Sequence, residues 1–104
     1  MITGSVTTTQ NVNTPAISST TTALAANQAR IGWVIQNMST NPMYLLQGSG
    51  VSTSIFHTVL KGGTTLDDGT GAIFSQTQGV IYNGIVSVTN ATGIARYTVI
   101  EYAP

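Results

Sequence analysis

The stretch Val80-Ile81-Tyr82-Asn83-Gly84-Ile85-Val86-Ser87-Val88-Thr89-Asn90-Ala91-Thr92-Gly93-Ile94-Ala95-Arg96-Tyr97-Thr98-Val99-Ile100-Glu101-Tyr102 decides the fold. It is rich in β-branched and aromatic residues, and its side chains sort onto two faces with the period of a pleated strand rather than that of a helix. Val80, Tyr82, Gly84, Val86 and Val88 share one face, and Ile81, Asn83, Ile85, Ser87 and Thr89 share the other. In the second run Ile94, Arg96, Thr98, Ile100 and Tyr102 oppose Ala95, Tyr97, Val99 and Glu101, so apolar residues stand on both faces. The link Asn90-Ala91-Thr92-Gly93 is short and built of turn formers, which predicts that the two runs pair as an antiparallel hairpin.

Upstream the same grammar repeats. Strands are predicted at Ala23 to Ala26, Arg30 to Asn37, Met43 to Gln47, Ile55 to Lys61 and Gly71 to Phe74. Between them lie Ser39-Thr40-Asn41-Pro42, Gly48-Ser49-Gly50, Gly62-Gly63-Thr64 and Asp67-Asp68-Gly69-Thr70-Gly71, all turn chemistry. Only Thr20 to Arg30 is compatible with a helix, and no repeat of 20 to 50 residues points to a propeller or solenoid. The expected fold is all-β: an antiparallel β-sandwich, jelly-roll-like, of about seven to eight short strands with an extended N-terminal arm.

A chain of 104 residues holds one compact core. Residues 23–104 are read as the sandwich domain and residues 1–22 as the arm. The arm is dominated by Thr, Ser, Asn and Gln, with Pro15 as punctuation and Ile2, Val6, Val12 and Ile17 as its β-branched aliphatic residues. Ser5-Val6-Thr7-Thr8-Thr9, with Val12 just beyond, favours extended backbone and suits strand addition to a partner. A frayed terminus, or an edge strand of its own domain, accounts for the same composition.

Charge excludes several functions. Charged residues make up 6% of the chain, against roughly a quarter in average soluble proteins. Arg30, His57, Lys61, Asp67, Asp68, Arg96 and Glu101 are all the ionisable residues apart from tyrosines and chain ends, and the net charge is zero. Three dispersed basic residues cannot neutralise a run of phosphates, so no nucleic-acid partner is expected. Absent net charge removes the self-repulsion that keeps molecules apart, which suits a homo-oligomer or a docked subunit. Without cysteine there is neither a disulfide nor a thiolate site. No signal-like segment and no run near the roughly 20 apolar residues of a bilayer span is present, so no membrane partner is expected.

The chemistry-bearing residues are few. Asp67 and Asp68 form the one acidic pair and are the candidate metal ligands, since calcium favours loop carboxylates and carbonyls. Asp-Gly is also a common tight turn, and two carboxylates are few for a cation. His57 stands between Phe56 and Thr58 with no local acid and no Gly-x-Ser-x-Gly nucleophile turn, which favours a packing or interface role over catalysis. Lys61-Gly62-Gly63-Thr64-Thr65 lacks the preceding glycines and the helix of a phosphate loop, and Gly48-Ser49-Gly50 lacks the third glycine of a dinucleotide fingerprint. Both are read as hairpin turns. Trp33, Tyr44, Phe56, Phe74, Tyr82, Tyr97 and Tyr102 could stack on sugars, although such residues more often fill a sandwich core. Trp33 is expected to be buried and Tyr102 to sit at an interface. The glycosylation triplets at Asn37 and Asn90 carry no weight without a sign of secretion. No catalytic set and no cofactor is expected.

One pattern resembles a known group. Trp33-Val34-Ile35-Gln36-Asn37, Thr40-Asn41-Pro42-Met43-Tyr44, Gly48-Ser49-Gly50, Phe56-His57, Leu60-Lys61-Gly62-Gly63 and Asp67-Asp68-Gly69-Thr70-Gly71 together resemble small virion proteins of tailed bacteriophages, of the head-decoration, cement or head-fibre type. The resemblance spans residues 30 to 102 and leaves the arm outside. It implies a sandwich without enzymatic activity, bound to the major capsid protein on the capsid exterior, as a homo-oligomer and specifically a homotrimer. Residues 1–22 would then attach it to the shell. The alternatives are a carbohydrate- or receptor-binding module of a head fibre or adhesin, and a minor tail or baseplate protein.

Overall fold

The computed structural model describes residues 5–11, 21–90 and 96–103. Among the described residues eight strands follow one another as β1 (Ser5–Asn11), β2 (Thr21–Leu24), β3 (Gly32–Asn37), β4 (Met43–Gln47), β5 (Thr58–Leu60), β6 (Ile73–Gln76), β7 (Val86–Asn90) and β8 (Tyr97–Ala103). They form two four-stranded sheets in the orders β1-β8-β3-β6 and β2-β7-β4-β5, and every strand pair is antiparallel. Among the described strands only β4 and β5 are consecutive members of one sheet; every other consecutive pair is divided between the two sheets. This is the two-sheet, eight-strand order of a jelly roll, and the all-β sandwich expected from the sequence is the fold observed.

Strand β3 shows how alternation becomes a core. Trp33 and Ile35 point between the sheets and are fully buried, while Val34 and Gln36 on the other face are half-buried. Across the gap, Met43 and Leu45 of β4 and Val86 and Val88 of β7 are also without solvent exposure, and Leu24, Leu60, Tyr97 and Val99 complete the layer. Each large aliphatic or aromatic side chain so buried contributes about 1.5–3 kcal/mol relative to exposure. Trp33 is buried as expected, and its indole Nε1 donates to Oε1 of Gln76 at 3.0 Å, so no polar group is stranded there.

Several local expectations are corrected. The hairpin between the last two strands does not form. β7 lies between β2 and β4, whereas β8 lies between β1 and β3. Both backbone edges of each strand are therefore occupied by others, and the two strands belong to different sheets. The run from Val80 is also shorter as a strand: only Val86–Asn90 is regular. The carbonyls of Tyr82 and Gly84 are taken by the Arg30 guanidinium instead of a neighbouring strand. Of the stretch Thr20 to Arg30, the described residues from Thr21 on hold β2 and then a turn in which Asn27 accepts from the Ala29 amide, with no helix. Lys61-Gly62-Gly63-Thr64 is not a hairpin turn either, because it leads from β5 in one sheet to β6 in the other.

Residues 5–11 of the segment read as an arm are strand β1, paired with β8 from Ser5↔Ala103 to Asn11↔Tyr97. Of the two readings left open by composition, the edge strand of its own domain describes this part. Val12 lies outside the described residues.

Candidate functional site

At the end of β3, Asn37 is completely buried and its side chain makes four hydrogen bonds. Its Nδ2 donates to the carbonyls of Asn41 at 2.8 Å and Leu60 at 2.9 Å. Its Oδ1 accepts from the Ser39 amide and from Ser39 Oγ, at 2.9 and 2.8 Å. The 61–72 segment closes onto this turn: the Gly63 amide donates to the Ser39 carbonyl, the Asp67 amide to the Met38 carbonyl, and the Ala72 amide to the Lys61 carbonyl. Glycine is required for the fit. A Cβ on Gly62 would overlap the Thr40 carbonyl, and one on Gly71 would overlap the Asn37 carbonyl oxygen.

The acidic pair belongs to this cluster. Both oxygens of Asp68 are filled by threonines: Oδ1 accepts from the amide and Oγ1 of Thr70 at 2.9 and 2.6 Å, and Oδ2 accepts from the amide and Oγ1 of Thr65 at 2.9 and 3.0 Å. These donors, Thr70 foremost, lower its pKa from 3.8 to about 2. Asp67 adopts a positive φ of 60° and pairs with Arg96 at 2.6 Å. The two carboxylates organise the turn, and no group of three metal-ligating side chains occurs among the described residues.

The third acid is Glu101. Its Oε2 takes Arg30 Nε at 2.8 Å, and its Oε1 takes Asn27 Nδ2 at 3.1 Å. All three side-chain carboxylates thus have internal partners, and none is the partner of His57. His57 is exposed, with Nδ1 2.5 Å from Thr58 Oγ1 and its ring 5.9 Å from that of Phe74. The sequence shows Arg30 as a charge in a strand but does not show what it holds. The signal was that Arg30 and Glu101 are two opposite charges falling within predicted strands of an almost uncharged chain.

The aromatic residues divide. Trp33 and Tyr97 are core, and Phe74 packs on Trp33 with ring centres 5.2 Å apart. At the rim Phe56, 40% exposed, stands edge-on to Tyr44 at 4.9 Å. Ile55, Val59, Leu66 and Ile73 are also exposed. Tyr102 is half-buried and, with Ile31, Gly32 and Thr77, lines an open cleft of about 300 Å³. Asn37 and Asn90 are both buried, so neither is available to a glycosyl transferase in the folded chain.

Four strands bound the two sheets, and three have short or irregular edges. β5 has three residues, β6 has four, and β2 carries a register shift between Thr22 and Leu24. β1 has seven residues in unbroken register, with no proline and no charge. The ladder fixes which of its backbone groups are free. The Met38 amide bonds the Arg96 carbonyl, so the even-numbered residues of β8 turn their N–H and C=O groups to β3 and the odd-numbered ones turn theirs to β1. Ser5, Thr7, Thr9 and Asn11, which oppose odd-numbered residues, direct their backbone groups at β8. Val6, Thr8 and Gln10 present their backbone groups outward, and nothing among the described residues pairs with them.

A scan against protein-family models found no match, and searches of curated proteins and of solved structures found none either.

Proposed function

We propose that the chain is a structural subunit of a phage particle: a decoration or cement protein on the capsid exterior. It binds the major capsid protein, associates with copies of itself and stabilises the shell through contacts between subunits. The observation that carries this reading is the division of its side chains. Every side-chain carboxylate is engaged within the fold, while aliphatic and aromatic residues such as Ile55, Phe56, Val59 and Ile73 face outward. A neutral surface of this kind gains about 25 cal/mol for each Å² of apolar area it buries on a neighbour, and a shell repeats that gain many times. The mechanism is passive and uses no cofactor. Residues 1–22 are the attachment segment, and the outer edge of β1 is the strand-adding element that locks a subunit into the assembly.

Deleting residues 1–22 would uncover β8 and confuse the result, so the sharper test blocks the edge alone. Thr8→Pro removes an outward N–H at a position where an edge strand accepts proline. Particles stripped of the protein should lose rebinding of this variant while its thermal unfolding stays cooperative; unchanged occupancy would refute the attachment reading.

A second reading is favoured by the Tyr44–Phe56 rim. Jelly rolls also serve as lectins, and an exposed ring beside a half-buried tyrosine offers a sugar-stacking surface. Under that reading the wild type binds specific glycans on an array and Phe56→Ala does not.

A further inference from the structure

We infer that the strand filling the outer edge of β1 is β1 of a second copy, running antiparallel about a two-fold axis at Thr8. The inference rests on the reading of this edge as the adhesive element, and it names the partner. The outward-facing set is Val6, Thr8 and Gln10. A two-fold axis at Thr8 carries this set onto itself: Val6 meets Gln10 of the second copy, Thr8 meets Thr8, and Gln10 meets Val6. Each is a pair that exchanges both backbone hydrogen bonds, so about six bonds form and no outward group of the strand is left over. Ser5–Asn11 is itself centred on Thr8, so the two strands overlap along their full length.

Charge and edge protection agree with this occupant. Lysines, prolines and bulges on edge strands normally prevent self-pairing, and β1 has none of them, whereas β2, β5 and β6 are short or shifted. The chain's net charge of zero adds no repulsion between copies. The product is one continuous eight-stranded sheet, β6-β3-β8-β1 joined to β1-β8-β3-β6, whose isologous contact closes at two copies. On a particle, such a contact would tie one decoration subunit to the next.

The register gives the test. Thr8, and no other residue of the strand, opposes its own copy. Thr8→Lys sets like charges across the axis, as does Thr8→Glu, and a mixture of the two variants sets opposite charges there. In sedimentation equilibrium of the full chain the wild type should be dimeric. Each charged variant alone should be predominantly monomeric at low salt, and the mixture should regain the dimer. Thr8→Pro removes two of these bonds, one from each copy, and should raise the dissociation constant by about one to two orders of magnitude. The nitrogen of residue 8 points away from β8, so this variant should keep the wild-type circular dichroism.

A wild type that is strictly monomeric or trimeric overturns the self-pairing, and so does a mixture of the Thr8→Lys and Thr8→Glu variants no more associated than its components. Particle occupancy separates the two ideas. If the wild type is monomeric but Thr8→Pro loses its place on the particle, the adhesive edge stands and the second copy does not. If Thr8→Pro loses the dimer yet occupies particles fully, the reverse holds.

Discussion

Arg30 and Glu101 meet at the start of β3, with Nε and Oε2 2.8 Å apart, and the arginine is almost wholly buried there. The same guanidinium donates from Nη1 to the carbonyls of Tyr82 and Gly84, at 2.8 and 3.0 Å, and from Nη2 to that of Ala25 at 2.6 Å. One side chain therefore ties Glu101 of β8 to three carbonyls that lie outside the strands, just after β2 and just before β7. At the other end of β3, Asn37 plays the corresponding part with an uncharged amide.

Arg30→Met should cost about 3–5 kcal/mol in urea denaturation, because it leaves Glu101 without its cation and three carbonyls without a donor. Glu101→Gln keeps an acceptor for Arg30 and should cost less, about 1–2 kcal/mol. The double variant Arg30→Met, Glu101→Met should recover part of the loss but not all of it. The carbonyls of Ala25, Tyr82 and Gly84 stay unpaired even when the ion pair is gone.

Acid should weaken the fold through Asp68. Its folded pKa, about 2, lies below its ordinary value of 3.8. The stabilisation it supplies is complete well above that ordinary value and is lost as pH falls toward the folded one, since the unfolded chain then takes up a proton that the folded chain still refuses. Thermal melts from mildly acidic pH down to about 2 should show this loss in the wild type, and Asp68→Asn should flatten that part of the profile. A profile unchanged by the substitution would remove Asp68 as the cause.

Glycine substitutions should separate two kinds of constraint. Gly71→Ala drives a methyl into the Asn37 carbonyl and should cost about 3 kcal/mol or more, through forced backbone displacement. Gly69 has a φ of 80° and open space around it, so Gly69→Ala should cost only about 1–2 kcal/mol from backbone conformation. Equal losses in chemical denaturation would contradict the packing geometry.

Phe56→Ala should leave the fold nearly intact, within about 1 kcal/mol of wild type, because the ring is partly solvated and lies outside the core. If the rim takes part in docking, the same variant should bind stripped particles more weakly.

Much of the strand content was legible because alternation is a local property. Met43 to Gln47 was placed to the residue, and the buried faces of β3 and β8 follow directly from every second side chain. The turn clusters were also legible, since Asn, Asp and Gly announce them. What each turn connects stayed open. Asn90 to Gly93 looks like a hairpin link locally, yet the strands on its two sides belong to different sheets. Nor did the string Leu60-Lys61-Gly62-Gly63 reveal that Gly62 is a spacer for the Thr40 backbone.

The amino-acid sequence by itself determined that this protein is a neutral all-β sandwich with one core, because side-chain periodicity and charge are read along the chain without reference to anything distant. Only the tertiary structure decided which strands are neighbours, that Arg30 is an internal knot, that Asp68 is saturated by threonines, and that Thr8 lies at the centre of a strand that ends its sheet among the described residues. Those facts depend on pairings between residues far apart in the chain, such as Arg30 with Glu101. Such pairings are chosen by the simultaneous filling of core and hydrogen bonds, which no single segment encodes.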